Sequence, residues 1–486
     1  MTRRSKGKAG LQAGRHELVT RRAFLALAIA ACVSQVSAGL GTGLSARAFA
    51  VQRDAAPPDI VILLTDQQRA DAFSAAGAAD LRTPAMDRLA RDGVRFARAF
   101  AATPQCSPSR AALVTGRYPH RTGVMGNTGG RGRPAGMSEA LDRSVPTIAQ
   151  VFAAAGYDTA YFGKWHLGGT PGDYGFATHD ASIGDPALGP RVVEFLQHRA
   201  ATEPRRPLLL MVSWLNPHDI YGVLGAAPPG LRALSAARVP GNLVDDLSQK
   251  PFPQRHYLEA DQGKPFVGAD EAVWRRYRAF YNGLVETVDR EMGTVVEVLA
   301  RRRVPAITVF SSDHGDLGGA HGLPYKGPAM YEELIGVPLV ISWPDRIPPA
   351  ESDALVSLID LVPTLCALTG VAAPQDVDGL SLVPILEQRA SGVRDMVFGE
   401  YFGKQAWRVP IRMVRTERWK YVRYRSDGEE LYDLDADPGE LRNLARAPGA
   451  AAERARLGRE LDDWMRRTAD PFPGLTTTDR SGTVRP

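Results

Sequence analysis

Strongly apolar runs and amphipathic segments alternate along most of the chain. Residues 60–64, 208–212 and 306–310 are apolar almost throughout, which is typical of strands buried on both faces of a parallel sheet. Apolar residues also recur at helical spacing over residues 274–299, behind Asp270 as an N-cap, which predicts a long helix with one buried face. The alternation predicts an α/β fold with a mostly parallel central sheet flanked by helices.

The pattern changes near Gly392. Short alternating segments at residues 412–415, 419–424 and 430–434 predict a small antiparallel sheet, and residues 451–467 predict a helix behind it. The sequence therefore predicts four parts, which are a leader (1–50), a linker (51–58), a large α/β domain (59–391) and a smaller C-terminal subdomain with a tail (392–486).

Two stretches lack clear periodicity and predict long loops. Residues 117–143 are rich in Gly, Arg and Pro, and residues 220–268 are rich in Pro, Gly and Ala. Loops of this length inside a compact domain usually serve function. We expect the first to lie near the functional site and the second to form a lid or wall for a substrate.

The positive charge of the chain is concentrated in its first 50 residues. They hold eight Lys or Arg and one Glu, a net charge of +7 that leaves −2 for the remainder, so no general nucleic-acid-binding surface is indicated. The arginine pair at residues 21–22, the apolar run 26–31 and the small-residue site 48–50 resemble a twin-arginine export signal. We therefore expect a periplasmic or extracellular protein, with a lipid anchor on Cys32 as the alternative. No later segment is apolar for long enough to span a membrane.

Cysteine is rare. Beyond Cys32 in the leader, the chain holds Cys106 and Cys366, too few for a framework of disulfides in an exported protein. Cys366 lies in a strongly apolar helical stretch, where we expect it to act as a small buried side chain.

Polar side chains follow each of the three buried strands. Asp66 ends the first, His218 follows the second, and Asp313 and His314 follow the third. In a parallel sheet these ends meet at one edge, where ligands usually bind. Carboxylates gathered there repel one another unless a cation lies between them, so the sequence predicts a site for a hard divalent metal.

The segment Cys-Ser-Pro-Ser-Arg at residues 106–110 is a further candidate for the functional site. Pro108 suits the first turn of a helix, so Cys106 is expected just before a helix N-terminus, a position that favours an anion. Arg110, one turn later, can point back to the same place. Taken alone, a buried structural cysteine beside a surface arginine is the commoner explanation.

The longer motif changes this interpretation. Cys-x-Pro-x-Arg followed by Ala-x-Leu-x-Thr-Gly, over residues 106–116, resembles the core motif of the sulfatase family within the alkaline phosphatase superfamily. A Trp-Lys-Tyr segment at 419–421 and a Leu-Tyr-Asp-Leu segment at 431–434 extend the resemblance, which covers about 59–445. It implies an alkaline-phosphatase-like sandwich and conversion of Cys106 to formylglycine, whose hydrate is the nucleophile, by a formylglycine-generating enzyme.

The resemblance also implies roles for individual residues. The implied ligands of a metal, calcium in the first place, are Asp66, Gln67, Cys106, Asp313 and His314. The implied catalytic residues are Cys106, Arg110, Lys164, His166, His218 and Lys326. His321 matches a further family position, where it is expected to support the site or to face substrate.

Two of these positions depart from the usual family pattern. Gln67 stands where a second Asp is common, and His314 stands where Asn is common. These departures resemble the branch that includes choline sulfatases and phosphonate monoester hydrolases. The predicted function is hydrolysis of a sulfate ester of a glycan or small molecule. The alternatives are a phosphonate monoester or phosphodiester hydrolase and a non-catalytic binder of sulfated glycans. The sequence leaves the natural substrate and the oligomeric state open.

Overall fold

A computed structural model describes residues 57–129, 140–201, 206–225, 237–302, 305–404, 407–478 and 483–485. The predicted export signal, the possible processing site at Cys32 and most of the predicted linker lie outside these residues. So do parts of the two predicted loops. The described residues belong to one compact unit that spans Ala56–Pro486.

The core of the fold is an eight-stranded mixed sheet. Its strands are β1 (Ile60–Asp66), β2 (Val94–Phe100), β3 (Asp158–Gly163), β4 (Thr178–Asp180), β5 (Leu208–Pro217), β6 (Ile307–Ser312), β7 (Leu339–Ser342) and β8 (Ala350–Ser357). Their order is β4-β3-β5-β1-β6-β7-β2-β8. All neighbouring pairs are parallel except those of β7, which runs antiparallel to both β6 and β2. The predicted mostly parallel sheet is confirmed.

Helices cover both faces of this sheet. They are α1 (Pro84–Arg91), α2 (Cys106–Thr115), α3 (Pro119–Thr122), α4 (Ile148–Ala154), α5 (Asp185–Ala200), α6 (Phe252–Ala260), α7 (Glu271–Ala300), α8 (Glu332–Ile335), α9 (Leu361–Thr369), α10 (Val383–Leu386) and α11 (Ala451–Arg467). In α7, the Asp270 side chain accepts a hydrogen bond from the Val273 N–H, as the predicted N-cap requires. None of the described helices is long and apolar enough to cross a membrane.

Three sequence predictions need correction here. Cys106 is the first residue of α2, and the extended Gln105 is its N-cap. Helix α5 begins at Asp185, since Pro186 suits a first turn, whereas the sequence predicted its start near residue 191. The segment 220–268 is also not wholly irregular, because α6 (Phe252–Ala260) lies within it.

The alternation along β1 places apolar side chains on both faces of the sheet. Ile60, Ile62 and Leu64 pack on one face, where α2 and α9 contribute Leu113 and Leu365. Val61 and Leu63 pack on the other face, which α7 covers with residues such as Met292. Because both layers exclude water, β1 is held rigidly at the centre of the sheet.

The central place of β1 decides where the site lies. It pairs with β5 on one side and β6 on the other, so that Asp66 lies opposite Pro217 and Thr65 opposite Ser312. The residues that follow these two neighbours are His218 and Asp313. The polar ends of all three buried strands therefore meet at one edge, as the apolar pattern predicted.

A second, antiparallel sheet follows in the chain. Its strands are β9 (Met396–Lys404), β10 (Trp407–Thr416), β11 (Trp419–Tyr424) and β12 (Gly428–Asp433), in the order β12-β11-β10-β9. Helix α11 packs against it through Leu457, Leu461 and Trp464, which share a cluster with Val414. A short pairing of Thr477–Thr478 with Val484–Arg485 lies near the end of the chain. The predicted small antiparallel sheet is confirmed.

A buried ion pair joins this second sheet to the segment after α2. His120 Nδ1 lies 2.9 Å from a Glu400 carboxylate oxygen, and Nε2 lies 3.1 Å from the Thr468 carbonyl. Burial opposes protonation of His120, but the negative charge of Glu400 outweighs it and raises the pKa of the imidazole. Arg412 lies 3.4 Å from the same carboxylate and also pairs with Asp470.

The raised pKa of His120 makes this contact sensitive to pH. The folded state holds the His120 proton more tightly than the unfolded state, so the stabilisation is complete below the ordinary pKa of about 6.5 and is lost as pH rises through the folded-state value. We expect His120→Gln to lower the free energy of unfolding by about 1–3 kcal/mol at pH 6 and by less at pH 9. Urea unfolding of both proteins at the two pH values measures this, and a difference that grows with pH would contradict it.

Candidate active site

The site is built around the first turn of α2. Every residue of this helix is buried, and Gly116 ends it in the left-handed conformation with its N–H bonded to the Ala112 carbonyl. The helix therefore has no freedom to shift, and it holds Cys106 at the edge of the sheet beside Asp66 and His314. The Cys106 sulfur lies 3.7 Å from Asp66 Oδ1 and 3.3 Å from His314 Nε2.

Arg110 holds the two strand-end carboxylates. Its Nε donates to Asp313 Oδ2 at 2.7 Å, and one of its terminal nitrogens donates to Asp66 Oδ2 at 2.9 Å. The other donates to the Lys164 carbonyl and the Ser213 hydroxyl. Arg110 is thus buried and fully engaged. The sequence predicted that Arg110 points back to Cys106. In the structure its guanidinium instead binds Asp66 and Asp313, the acids beside Cys106.

Asp66 and Asp313 are buried close together, so it is unfavourable for both carboxylates to be ionised. Burial and the charge of Asp66 raise the pKa of Asp313 to about 6. Burial and the Cys106 thiolate also act to raise the pKa of Asp66, but Lys164, His218 and Arg110 outweigh them and lower it. The pair would therefore gain from a further positive charge between its members.

The arrangement suits a divalent metal ion. Asp66, Cys106, Asp313 and His314 each offer a ligand atom, and these four atoms lie within 4.8 Å of one another. The Nδ1 of His314 lies 2.9 Å from the Gly315 carbonyl, which as an acceptor places a proton on Nδ1, so that Nε2 faces Cys106 and can bind a metal when it is unprotonated.

Gln67 adds a neutral oxygen to this set. Its backbone N–H donates to Asp313 Oδ1 at 3.1 Å, in a left-handed conformation with φ of 69°. Its side-chain Nε2 donates to Asp316 at 2.7 Å, and the Tyr277 hydroxyl donates to the same carboxylate. The Gln67 Oε1 is buried and has no hydrogen-bond partner among the described residues. A buried amide oxygen without a partner, on the residue that follows Asp66, is available as a metal ligand.

The ammonium groups of two lysines approach the Cys106 sulfur. Lys326 Nζ lies 2.8 Å from the sulfur and 3.0 Å from His314 Nε2, and Lys164 Nζ lies 3.8 Å from the sulfur and 2.5 Å from Asp66. Burial would raise the pKa of the thiol, but the charges of Lys164, Lys326 and His314 lower it well below its usual value. The surroundings of Cys106 therefore favour negative charge.

Two histidines also approach the Cys106 side chain. A hydrogen bond from His166 is among the influences that lower the pKa of Cys106. Burial and the positive charge of Lys326 lower the pKa of His218. His166 has φ of 62°, and its buried Nδ1 has no hydrogen-bond partner in the described part of the chain. The structure thus brings together every sequence-predicted catalytic and metal-binding residue.

Two other predictions concern residues outside this group. His321 is buried, with Nδ1 at 2.7 Å from Asp245 and Nε2 at 3.2 Å from Asn242, and its ring stacks on Tyr331. These contacts support the segment that contains Asn242. Cys366 is buried in α9 among apolar neighbours, as expected.

Sequence reasoning missed several residues that support the site. Asp316 and Tyr277 orient Gln67, and the Ser109 hydroxyl donates to the Asp313 carbonyl. The signal for Asp316 was its place three residues after Asp313. Tyr277 gave no such signal, because its spacing on α7 is that of an ordinary core residue.

The chemistry available here is that of an ester with a tetrahedral anionic centre. Lys164 and Lys326 can hold the oxygens of such an anion beside position 106, and a divalent ion held by the acids and His314 would offset further negative charge. Fold and site together define a hydrolase of the alkaline phosphatase superfamily.

Comparison with known proteins gives the family. The family model described as Sulfatase matches residues 58–371, and that described as N-sulphoglucosamine sulphohydrolase, C-terminal, matches residues 319–467. The chain belongs to the sulfatase family and is a sulfuric ester hydrolase. Family membership therefore sets aside a purely binding role.

Individual relatives agree with this assignment. A Δ4,5-hexuronate-2-O-sulfatase of Bacteroides thetaiotaomicron is 30% identical, over 86% of this chain and 91% of its own length. A choline-sulfatase of Rhizobium meliloti is 29% identical, over 82% and 85%. Among solved structures, a 2-O GAG sulfatase matches with a TM-score of 0.78 at 28% identity, covering 87% of this chain and 95% of that one. The phosphonate monoester hydrolase of Agrobacterium radiobacter shares the fold, with a TM-score of 0.68 at 24% identity.

Proposed function

We propose that this protein is an exported sulfatase that cleaves sulfate esters through a formylglycine hydrate at position 106, with a calcium ion held beside it. The observation that carries the proposal is the convergence of two acids, one imidazole and two ammonium groups on the Cys106 side chain. Export rests on the twin-arginine-like leader, and conversion of Cys106 rests on the motif at residues 106–116 and a formylglycine-generating enzyme.

Asp66, Gln67, Asp313 and His314, together with the side chain at position 106, would hold the metal. With the hydrate at position 106, four of these five donors are oxygens and two of the oxygens come from carboxylates, a set that suits calcium better than a soft metal. When bound, the ion acidifies the nucleophile and offsets charge on the sulfuryl oxygens.

The first chemical step is proposed as an in-line attack on sulfur. The position of Cys106 Sγ marks where one hydroxyl oxygen of the hydrate lies after conversion. His218, whose lowered pKa favours the neutral ring, takes the proton of this oxygen, which forms a bond to sulfur while the bond from sulfur to the ester oxygen breaks. Lys164 and Lys326 hold the sulfuryl oxygens, and His218 or Lys326 gives a proton to the departing alcohol.

The second step releases sulfate. His166 takes the proton from the second hydroxyl of the hydrate, the carbonyl double bond re-forms, and the bond between that carbon and the sulfate oxygen breaks. The products are inorganic sulfate and the aldehyde, which water hydrates again. The buried Nδ1 of His166 has no hydrogen-bond partner among the described residues, so the structure does not use this nitrogen to anchor the ring.

A phosphonate monoester or phosphodiester hydrolase is the second candidate. It is favoured by one observation, the presence of Gln67 and His314 at positions where the family usually has Asp and Asn. Fewer acidic ligands leave the site with more positive charge. The arrangement of groups around Cys106 is equally able to hold a phosphonate, since both centres are tetrahedral and anionic.

One experiment tests the proposal and separates the two candidates. We expect the natively produced protein to hydrolyse an aryl sulfate at least tenfold faster, in kcat/KM, than the matching aryl phosphonate monoester. Intact-mass analysis should show an aldehyde in place of the thiol at Cys106. A chelator should remove most of the activity, because two carboxylates then lack their counter-charge, and calcium should restore it. A faster reaction with the phosphonate would favour the second candidate, and an unmodified thiol in active protein would refute the mechanism.

A further inference from the structure

One lysine from the antiparallel sheet lies beside the active site and has no role in the steps above. Lys404 is the last residue of β9, and its ammonium group donates a hydrogen bond to the Gln262 side chain. It also lies 5.7 Å from the centre of the Tyr221 ring. Both contacts are with neutral groups.

Tyr221 connects Lys404 to the catalytic residues. Its ring stacks on Tyr325 with a centroid distance of 4.2 Å, and it lies 5.2 Å from the His218 ring. Tyr325 immediately precedes Lys326, which contacts the Cys106 sulfur. Through Tyr221 and Tyr325, Lys404 therefore lies on the same side of the site as His218 and Lys326.

The backbone that carries Lys404 is fastened to the catalytic helix. Gln105 is the N-cap residue of α2 and immediately precedes Cys106. Its side-chain Nε2 donates to the Gly403 carbonyl at 3.1 Å. A Cβ on Gly403 would lie 2.3 Å from the Trp407 carbonyl oxygen, so only glycine allows this approach. The pairing of β9 with β10 also shifts register between Arg408 and Ile411, and such irregularities often re-aim a side chain near an active site.

Lys404 has no acidic partner in direct contact among the residues that the structure describes. No carboxylate of the described residues lies within 4.0 Å of its ammonium group. Burial and the positive charge of Lys326 lower the pKa of Lys404 to about 7. A desolvated cation without a counter-ion is costly, and a second anion in the site would offset that cost.

Resting on the proposed function, we propose that Lys404 binds a second anionic group of the substrate, separate from the sulfate that is cleaved. Lys164 and Lys326 already face position 106, so the reacting sulfuryl group needs no third lysine. The substrate class is then a sulfated saccharide that carries a further oxyanion, either a carboxylate or another sulfate. Lys404 is a specificity residue and takes no part in bond cleavage.

Matched pairs of substrates test this. The first pair is a 2-O-sulfated uronic acid glycoside and its methyl ester, and the second is an N-sulfated and an N-acetylated glucosamine 6-sulfate. We expect the wild type to prefer the charged member of at least one pair, which also identifies the second anion. In Lys404→Met, KM for that substrate should rise about ten- to a hundredfold with a much smaller change in kcat, and the preference over its neutral partner should vanish.

Two further variants control for folding and for charge in general. Lys404→Arg keeps the charge and should retain most of the preference. Lys264→Met removes an exposed lysine two residues from Gln262, the partner of Lys404, and should leave the preference as it is in the wild type. The inference is overturned if the wild type shows no preference within either pair, or if Lys404→Met keeps it. If the wild-type protein does not hydrolyse an aryl sulfate, the proposed function itself is refuted.

Discussion

Replacing Cys106 with alanine is expected to lower kcat for an aryl sulfate by at least about 10⁴-fold. The reason is that Lys164, Lys326 and His314 all contact this side chain, and alanine offers neither a nucleophile nor a metal ligand. The substitution removes one buried sulfur, so the fold should survive. Steady-state kinetics and a thermal unfolding curve measure both effects. Turnover within tenfold of the wild type in a folded Cys106→Ala protein would contradict the mechanism.

Cys106→Ser provides a sharper test of the second chemical step. A serine hydroxyl can still attack sulfur, but it has no second hydroxyl with which to expel the sulfate. We expect about one equivalent of phenol to be released per enzyme, after which the reaction stops, and intact-mass analysis should find sulfate bound to the protein. Continuous turnover by Cys106→Ser would show that water attacks the sulfated enzyme directly.

Lys326→Met should produce the second-largest loss, about 10²–10³-fold in kcat/KM. Lys326 is buried, and burial acts to lower its pKa, but the negative charges of Cys106, Asp66 and Asp313 raise it. The group is therefore a fixed cation aimed at the reacting centre, in a place where water cannot replace it. Methionine keeps the length of the side chain and removes the charge.

A second substitution at the same position separates charge from shape. Lys326→Arg keeps the charge but spreads it over a planar group, which cannot contact both the position-106 side chain and His314 from one atom. We expect a loss smaller than that of Lys326→Met. The two proteins are compared by kcat/KM for an aryl sulfate, and less than a threefold loss in Lys326→Met would rule out a direct role for this cation.

Much of the site was predictable because strand ends are visible in sequence. The apolar runs before Asp66 and Asp313 indicated buried strands, and parallel strands bring their ends to one edge. The motif from Cys106 to Gly116 then supplied the nucleophile. Arg110 was recognised as part of the motif, but its contacts with Asp66 and Asp313 depend on the three-dimensional position of α2 against β1 and β6.

Other features leave little trace in the pattern of residues. Strand β2 alternates apolar and basic residues, and β4 has only three residues, so neither shows the continuous apolar run of a buried strand. Lys404 is the clearest case. It lies in a different sheet and far along the chain from Cys106, and contacts such as that between Gln105 and Gly403 bring it to the site. Pairings at such sequence separation cannot be inferred from local periodicity.

The complete burial of Cys106 orders the events of biosynthesis. In the folded protein its sulfur is enclosed by Asp66, His314 and the two lysines, inside a helix of which every residue is buried. A maturation enzyme needs an accessible, extended strand of polypeptide to reach a thiol. Under the proposed mechanism, oxidation of Cys106 is therefore expected before the chain folds, and a molecule that folds with the thiol intact is expected to be inactive.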